Sequence, residues 1–298
     1  MNLRRFEFEK IFHLPRPVSR SSSLWYADIP IEEQVLQMAN VRDHLRENLA
    51  QVGGHRRDNW NDQWAGKLSD FKKTRNPLDL LPDYLRTNKT MRYDGRYITP
   101  GIDRFEYRIA SAFRKSLFAE FFKDVDEVHE FGCGGGLNLL DFKGVFPDKK
   151  VYGYDWSDAA VEAVNLLFGE GSGRKFDMFR HPTNGFNKTP NRIGFLTFHS
   201  MEQLGEKWGN FFSYIWWRGA PSVVVHVEPI LELYDESDPI DSLAIRYHKR
   251  RGYLSGYFTR LSELECSESR SVSIDAAVRV KFGGAYHDPY SYIVWRPA

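Results

Sequence analysis

The chain has 298 residues, 42% apolar and 27% charged, which is the profile of a globular protein with one large domain or two modest ones and excludes disordered, collagenous and membrane classes. Lys plus Arg number 41 against 40 Asp plus Glu, so the net charge of +1 supplies no global field for nucleic acid or anionic lipid, and any polyanion site has to be local. Two cysteines, Cys133 and Cys266, exclude a disulfide framework, and with no run of ~18 apolar residues and a charged N-terminus in place of a signal peptide the expectation is a cytoplasmic protein.

Residues 1–102 carry scattered tryptophans (Trp25, Trp60, Trp64), frequent Arg and Asn, and helical patches such as IEEQVLQMANVRDHLRENLAQV, with no strand of any length in view. The stretch from Asn76 to Gly101 is rich in turn residues and reads as a boundary. The expectation is therefore an N-terminal, mainly helical, substrate-covering segment over 1–102 followed by a second domain over 103–298. At the start of that domain Asp103 can cap a helix whose third residue is Glu106, and Phe105, Ile109, Phe113, Leu117 and Phe121 then recur every four residues to about Lys123.

Strand and helix signals alternate from there, the pattern of βαβ units and a parallel sheet. VHEF runs into the glycine cluster GCGGG, and a helix follows from about Leu137. VYGYDW reads as the second strand, with Ser157 capping a helix closed by Gly169. GFLTFH is a further strand, and Ser200 with Gln203 reads as a capping box for a helix over MEQLGEKWGNFFSYIWW. VVVHVEP is apolar enough for a buried parallel strand, Asp238 and Pro239 open a helix through IDSLAIRYHKRR, and VSIDAAVRVKF and YSYIVWR close the chain as alternating strands.

The chemistry concentrates in HEFGCGGGLNLL, where Glu130, Gly132, Gly134 and Gly136 are spaced acidic-x-Gly-x-Gly-x-Gly between a strand and a helix. Glycines let the backbone turn and approach a ligand, and the helix N-terminus offers free N–H groups. A dinucleotide fingerprint wants its third glycine where Leu137 stands, which weakens that reading. Asp155, about twenty residues on at the end of YGYDW, is placed to accept hydrogen bonds from ribose hydroxyls.

EFGCGGG followed by YGYDWS resembles motif I and the acidic second-strand motif of class I S-adenosylmethionine-dependent methyltransferases, over roughly residues 105–298. The resemblance implies an α/β, Rossmann-like seven-stranded, mostly parallel sheet with an antiparallel last strand. It implies S-adenosyl-L-methionine as cofactor, with Glu130, Gly132, Gly134 and Gly136 beneath its methionine and ribose part, flanked by Cys133, Asn138 and Phe198. Asp155 would take the ribose hydroxyls, Trp156 would lie against adenine, and Asp177 with Met178 would match the contact near adenine.

In such a sheet the reacting groups gather at the carboxyl ends of the strands. The fourth strand supplies His199, Glu202 and Gln203, the fifth His226 and Glu228, and the loop before the last His287 and Asp288. His199 is the expected general base, with Glu202 orienting it or binding the acceptor. Gln203, His226, Glu228 and His287 are further acceptor-site candidates, together with Arg92 and Tyr97 from the cluster Arg92, Tyr93, Arg96, Tyr97. The basic run from Arg246 to Arg251 reads as a solvated helix face or as a phosphate grip. Glu202, Glu228 and Asp288 could alternatively hold a divalent metal, but no ligand pair has a diagnostic spacing, and no metal is expected.

The function these features point to is O-methylation of a small polar acceptor such as a sugar, sugar nucleotide or natural-product intermediate. N-methylation of a small amine stands beside it, as does a cofactor-binding subunit without catalysis. The near-zero charge and the lack of an Asn-Pro-Pro-Tyr type signature argue against a nucleic-acid substrate. No membrane partner is expected, and a homo-oligomer is compatible with the sequence.

Overall fold

A short apolar run bounded by turn residues makes a strand, and a run with apolar positions every three or four residues makes a helix. A computed structural model, describing residues 3–15, 24–180, 192–216, 221–268 and 271–298, shows both patterns realised. The serine cluster near residue 21 and Trp217 at the end of an expected helix lie outside the described residues.

The main sheet has seven strands: β5 (Glu127–Phe131), β6 (Lys150–Asp155), β7 (Gly173–Lys175), β8 (Ile193–Phe198), β9 (Val223–Val227), β10 (Val272–Val278) and β12 (Tyr292–Pro297). Their order is β10-β12-β9-β8-β5-β6-β7. β7, β6, β5, β8 and β9 are parallel neighbours, while β12 runs antiparallel to both β9 and β10. This is the Rossmann-like sheet the resemblance implies, with its antiparallel last strand inserted beside β9. The unexpected member is β7, whose three residues are too few to show a period.

Along β9 the side chains alternate, so that Val223, Val225 and Val227 pack into one core layer and Val224 into the other. The first layer holds Phe113, Leu117 and Phe118 of α4 (Phe105–Phe121) and the second Phe211 and Leu261 of α7 (Gly209–Tyr214) and α9 (Tyr257–Cys266). α5 (Leu137–Val145), α6 (Asp158–Phe168) and α8 (Pro239–Arg251) complete the crossovers. Ser157 and Asp238 cap α6 and α8 as their spacing predicts, Asp238 accepting from the N–H groups of Ile240 and Asp241 at 2.8 and 3.1 Å.

Two caps differ from expectation. Arg104, not Asp103, precedes α4, with φ at 50°, and the Phe105 N–H donates to Asn88 Oδ1 at 3.0 Å. Ser200 does not cap a long helix. A single 3₁₀ turn over Met201–Leu204 ends at Gly205, and the Ser200 hydroxyl instead donates to the Phe131 carbonyl at 2.8 Å. Glu228 supplies the cap from β9: its carboxylate accepts from the N–H groups of Ser200, Met201 and Glu202 at 3.0 to 3.2 Å. A side chain distant in sequence satisfied those donors, so the local spacing misled.

The N-terminal region is helical in its larger part, with α1 (Phe8–Phe12), α2 (Ile31–His44) and α3 (Arg57–Thr74), but it also contains four short strands. β1 (Leu3–Arg5), β2 (Trp25–Asp28), β3 (Met91–Tyr93) and β4 (Arg96–Pro100) join β11 (Phe282–Gly283) in a second sheet, ordered β1-β2-β4-β3-β11. β3 and β4 form a hairpin around Asp94 and Gly95, both at positive φ. Asp-Gly between two extended runs is the sequence signal for that turn, masked here by the neighbouring breakers.

The boundary at residue 102 does not separate the chain into independent bodies. Phe6, Phe8 and Phe12 share a core with α4, and the Phe12 ring stacks on Phe113 at 4.4 Å. β11 pairs with β3, and Val52 N–H donates to the Arg251 carbonyl at 2.9 Å. No helix among the described residues is long and apolar enough to cross a membrane.

Candidate active site

β5 and β8 are parallel neighbours in register, Phe131 facing Thr197, so the loops leaving them emerge side by side on one edge. Gly132 permits this: a Cβ there would lie 2.3 Å from Ser200 Cβ, and the residue's φ is 71°. The two loops open into a cavity of about 620 Å³, roofed by α3 and by the stretch from Leu80 to Met91.

At one end of the cavity lie Gly132, Cys133, Gly134, Asn138, Asp155, Trp156 and Met178. Asp155 is buried, and its carboxylate accepts from Gly134 N–H at 3.0 Å and Ser157 N–H at 2.9 Å, one on each oxygen. Burial pushes its carboxyl up to about 6, and those N–H groups hold it lower than burial alone would. Glu130 sits behind the loop, fully buried; one oxygen accepts from Asn138 Nδ2 at 2.5 Å, and Oε2 has no partner among the described residues. Burial pushes Glu130 up to about 8.

Gly136 starts α5 at φ 77° and packs on α6. Cys133 is a buried thiol pushed well up by burial and by the nearby Asp155 and Glu130 carboxyls, and is therefore not an active nucleophile. Trp156 lines the cavity between the Arg57 guanidinium, 5.3 Å over its ring, and the stacked Phe179 ring at 5.8 Å. Asp177 stands outside the cavity wall. Its carboxylate accepts from Arg57 and from Phe179 N–H, while Met178 and Phe179 face the cavity in its place.

The other end is lined by His199, Glu202, Gln203 and His287 from the expected set, and Phe198 lines the cavity as well. His199 has φ at 54°, a left-handed conformation that is costly for a residue with a Cβ and is enriched at functional sites. The imidazole bonds to the Pro289 carbonyl and packs edge-on against Tyr290 at 4.9 Å, leaving Nε2 buried and without a partner among the described residues. A carbonyl can only accept, so the bonded ring nitrogen carries the hydrogen and Nε2 keeps its lone pair. Burial, followed by His287 and Arg114, pushes His199 down to about 3. Glu202 accepts from Gln203 Nε2 at 2.9 Å and is pushed up to about 8 by burial and then by Glu228. His287 shares a hydrogen with His248 at 3.1 Å and is held near 3 by burial.

Four of the expected acceptor residues are not in this cavity. His226 lies on the opposite face of β9, bonded to Thr197 at 2.9 Å and Tyr257 at 2.7 Å. Glu228 spends its oxygens on the 3₁₀ turn. Tyr97 is buried in the second sheet with its hydroxyl donating to the Ala285 carbonyl. Arg92 is buried against Asp241 at 2.7 Å and Asp288 at 3.0 Å, where Arg279 also pairs with both carboxylates. Glu202 and Glu228 are neighbours, but no group of three His, Cys, Asp or Glu among the described residues is arranged for a metal.

In their place the cavity gains Glu106, Tyr290 and Arg114, which the motifs do not single out as site residues, and Arg251, the last residue of the basic run read as a solvated face or a phosphate grip. Tyr290 donates to Glu106 at 3.0 Å, and burial pushes Glu106 up to about 7. Arg114 is paired with Asp141 at 2.6 Å and lies over the Phe198 ring. Glu106 and Tyr290 were visible only as the start of a helix and the end of YHDPY.

No protein-family model matches the chain, and no curated protein matches its sequence. Among solved structures it is similar to the methyltransferase domain of bacterial CtHen1-C, at 13% identity over 63% of this chain and 97% of that one, with a TM-score of 0.43. It is similar to NcsB1, an O-methyltransferase from neocarzinostatin biosynthesis in complex with S-adenosyl-L-homocysteine and a dihydroxynaphthoic acid, at 12% identity over 80% and 69% of the two chains and a TM-score of 0.40. A third is the O-methyltransferase of a trans-AT polyketide synthase multienzyme of Brevibacillus brevis, at 15% identity over 62% and 71%, with a TM-score of 0.43. All three identities are low, so function has to follow from the chain's own residues.

Proposed function

We propose that the protein is an S-adenosylmethionine-dependent methyltransferase that methylates a hydroxyl of a small polar acceptor, with His199 as general base. The observation that carries this reading is the shared cavity: a glycine loop and an acidic second-strand end at one side, and a histidine with a free, unprotonated Nε2 at the other.

The residues present fit the cofactor. Glu130 has a buried oxygen without a partner, and Asn138, which its other oxygen holds, reaches the cavity wall. The Asp155 carboxylate, which accepts from three backbone N–H groups, keeps acceptor capacity for a ribose hydroxyl, and Trp156 offers a flat apolar wall. When bound, the cofactor supplies an electrophilic methyl group on a sulfonium.

In-line displacement requires an aligned acceptor and little water. Trp60, Trp64 and Tyr84 line the cavity, which supports a substrate-covering role for the N-terminal region. His199 Nε2 would take the proton of the acceptor hydroxyl as its oxygen gained the methyl group, the methyl–sulfur bond breaking with its electron pair left on sulfur to release S-adenosylhomocysteine. Burial leaves the imidazole unprotonated in the neutral range and at the same time weakens it as a base in the free protein, so its role rests on its position and its open Nε2. Glu202, held protonated by burial, donates a hydrogen bond to acceptor oxygens rather than competing for the proton.

The test is methyl transfer from labelled S-adenosylmethionine to a panel of sugars, sugar nucleotides and phenols, with S-adenosylhomocysteine binding measured alongside by calorimetry. Cofactor binding with turnover on one class supports the reading. Absence of S-adenosylhomocysteine binding with tight binding of NAD overturns it.

A further inference from the structure

Arginines in this protein are treated in two ways. Arg92 and Arg279 are buried against Asp241 and Asp288, and Arg114 against Asp141. Arg56, just ahead of α3, and Arg251, the last residue of α8, line the cavity instead, and neither has a carboxylate at ion-pair distance among the described residues. Arg56 reaches Gln203 at 3.4 Å and lies over Trp60 at 5.3 Å. Arg251 lies over Tyr253 at 5.3 Å, with its buried Nε unpartnered.

The two guanidiniums are close enough for the charge of Arg251 to lower Arg56, after burial. The acidic group nearest them is Glu202, which bonds Gln203 and makes no ion pair with either arginine among the described residues; its effect on Arg56 ranks behind those of burial and Arg251. Two like charges at one wall, partly desolvated and unneutralised, are an unfavourable arrangement in the free protein. A bound anion reverses it, and guanidinium forks suit the planar oxygens of a carboxylate or the tetrahedral oxygens of a phosphate.

We propose that Arg56 and Arg251 form an anion subsite and that the molecule methylated carries a phosphate or carboxylate that they grip, with Trp60 and Tyr253 flanking it. This identification of the acceptor rests on the methyltransferase reading; the anion subsite itself does not. It also locates the function of the basic run ending α8 in its final residue, whose guanidinium turns into the cavity.

The experiment uses the full chain and three probes: phenyl phosphate, benzoate and the neutral benzyl alcohol, each titrated by calorimetry with and without S-adenosylhomocysteine. Phenyl phosphate or benzoate is expected to bind, and whichever binds more tightly names the anion. Arg56→Gln and Arg251→Gln should each weaken that anion at least tenfold while S-adenosylhomocysteine affinity stays within twofold, and Arg251→Lys should recover some of the loss. Thermal melting checks that each variant folds; if Arg251→Gln does not fold, Arg56→Gln decides. Equal affinity for benzyl alcohol and both anions, or anion affinity unchanged in the Gln variants, overturns the proposal. Anion binding without S-adenosylhomocysteine binding overturns the methyltransferase reading and leaves the subsite standing. Loss of anion binding alone does the opposite.

Discussion

The two ends of the cavity are assembled differently. The end proposed for the cofactor comes from the turns after β5 and β6, so Glu130 to Asn138 and Asp155 to Trp156 are near neighbours in sequence and their spacing survives as a motif. The acceptor end is gathered from Arg56, Glu106, His199, Arg251, His287 and Tyr290, brought together only by tertiary packing. Chemistry that depends on backbone shape is local, whereas chemistry that depends on a wall of side chains is not. The contrast predicts that substitutions at the two ends have separable effects, on cofactor affinity at one and on turnover at the other.

The largest separation is expected at His199. Removing a positioned base typically costs ~100- to 10,000-fold in rate. His199→Ala and His199→Gln should lose turnover on that scale while S-adenosylhomocysteine affinity changes by less than ~1 kcal/mol, as single-turnover kinetics and calorimetry will show. Equal loss of both would make His199 a wall residue and erase the distinction between the ends.

Next in size is the charge cluster behind the acceptor wall. Arg92, Arg279, Asp241 and Asp288 are held against one another out of water, and Asp288 lies in the same loop as His287 and Tyr290. Removing one partner leaves buried charge unbalanced, so Asp241→Asn should cost ~3–5 kcal/mol in urea unfolding. Asp158→Asn, which breaks the exposed pair with Lys175, should cost ~0–1 kcal/mol. Comparable costs would mean that the cluster is not supporting the wall.

How much of this was legible follows from the same contrast. The main sheet could be read because its strands are apolar runs followed by caps that the chain carries locally, as at Ser157 and Asp238. The second sheet could not, because its strands are three to five residues in the N-terminal region and its last partner, Phe282–Gly283, arrives from nearly two hundred residues away. Arg92 looked like a ligand and proved to be a strut; Arg251 belonged to a run that read equally as a solvated face or a phosphate grip, and it lines the cavity. An arginine's role depends on whether a carboxylate from another segment reaches it, which no local window contains. His226 and Glu228 misled for a related reason: period-two alternation turns His226 away from the cavity edge, and Glu228 was claimed by the N–H groups of the Met201 turn.

At the cofactor end a smaller effect is expected. Asp155→Ala removes the carboxylate proposed for the ribose hydroxyls and also the partner of Gly134 and Ser157 N–H. Affinity for S-adenosylhomocysteine should fall by ~1–3 kcal/mol in calorimetry, with the turnover of saturated enzyme reduced far less than in the His199 variants. An unchanged affinity would remove Asp155 from the site and with it half of the comparison.

The smallest expected effect separates the two ends by pH. Glu202 at the acceptor end is held up to about 8 from an ordinary 4.5, chiefly by burial and then by Glu228, with Arg56 and Arg251 opposing. Asp155 at the cofactor end is held up to about 6 from 3.8, again by burial, with backbone N–H groups opposing. A raised carboxyl keeps its proton in the folded chain after the unfolded chain has lost it, so its contribution is complete below the unfolded value and is lost as pH rises through the folded value. Wild-type stability relative to Glu202→Gln should therefore decline across pH 4.5 to 8. Relative to Asp155→Asn the decline should finish by about pH 6. Glu106, Glu130 and Glu228 are raised in every one of these proteins and cancel to first order in each difference. Urea unfolding at half-unit steps from pH 4.5 to 8.5 reads both curves. Parallel profiles for wild type and Glu202→Gln would mean that Glu202 is ionised at neutral pH, and it would then neutralise Arg56 and Arg251 in the free protein rather than leave them for an acceptor anion.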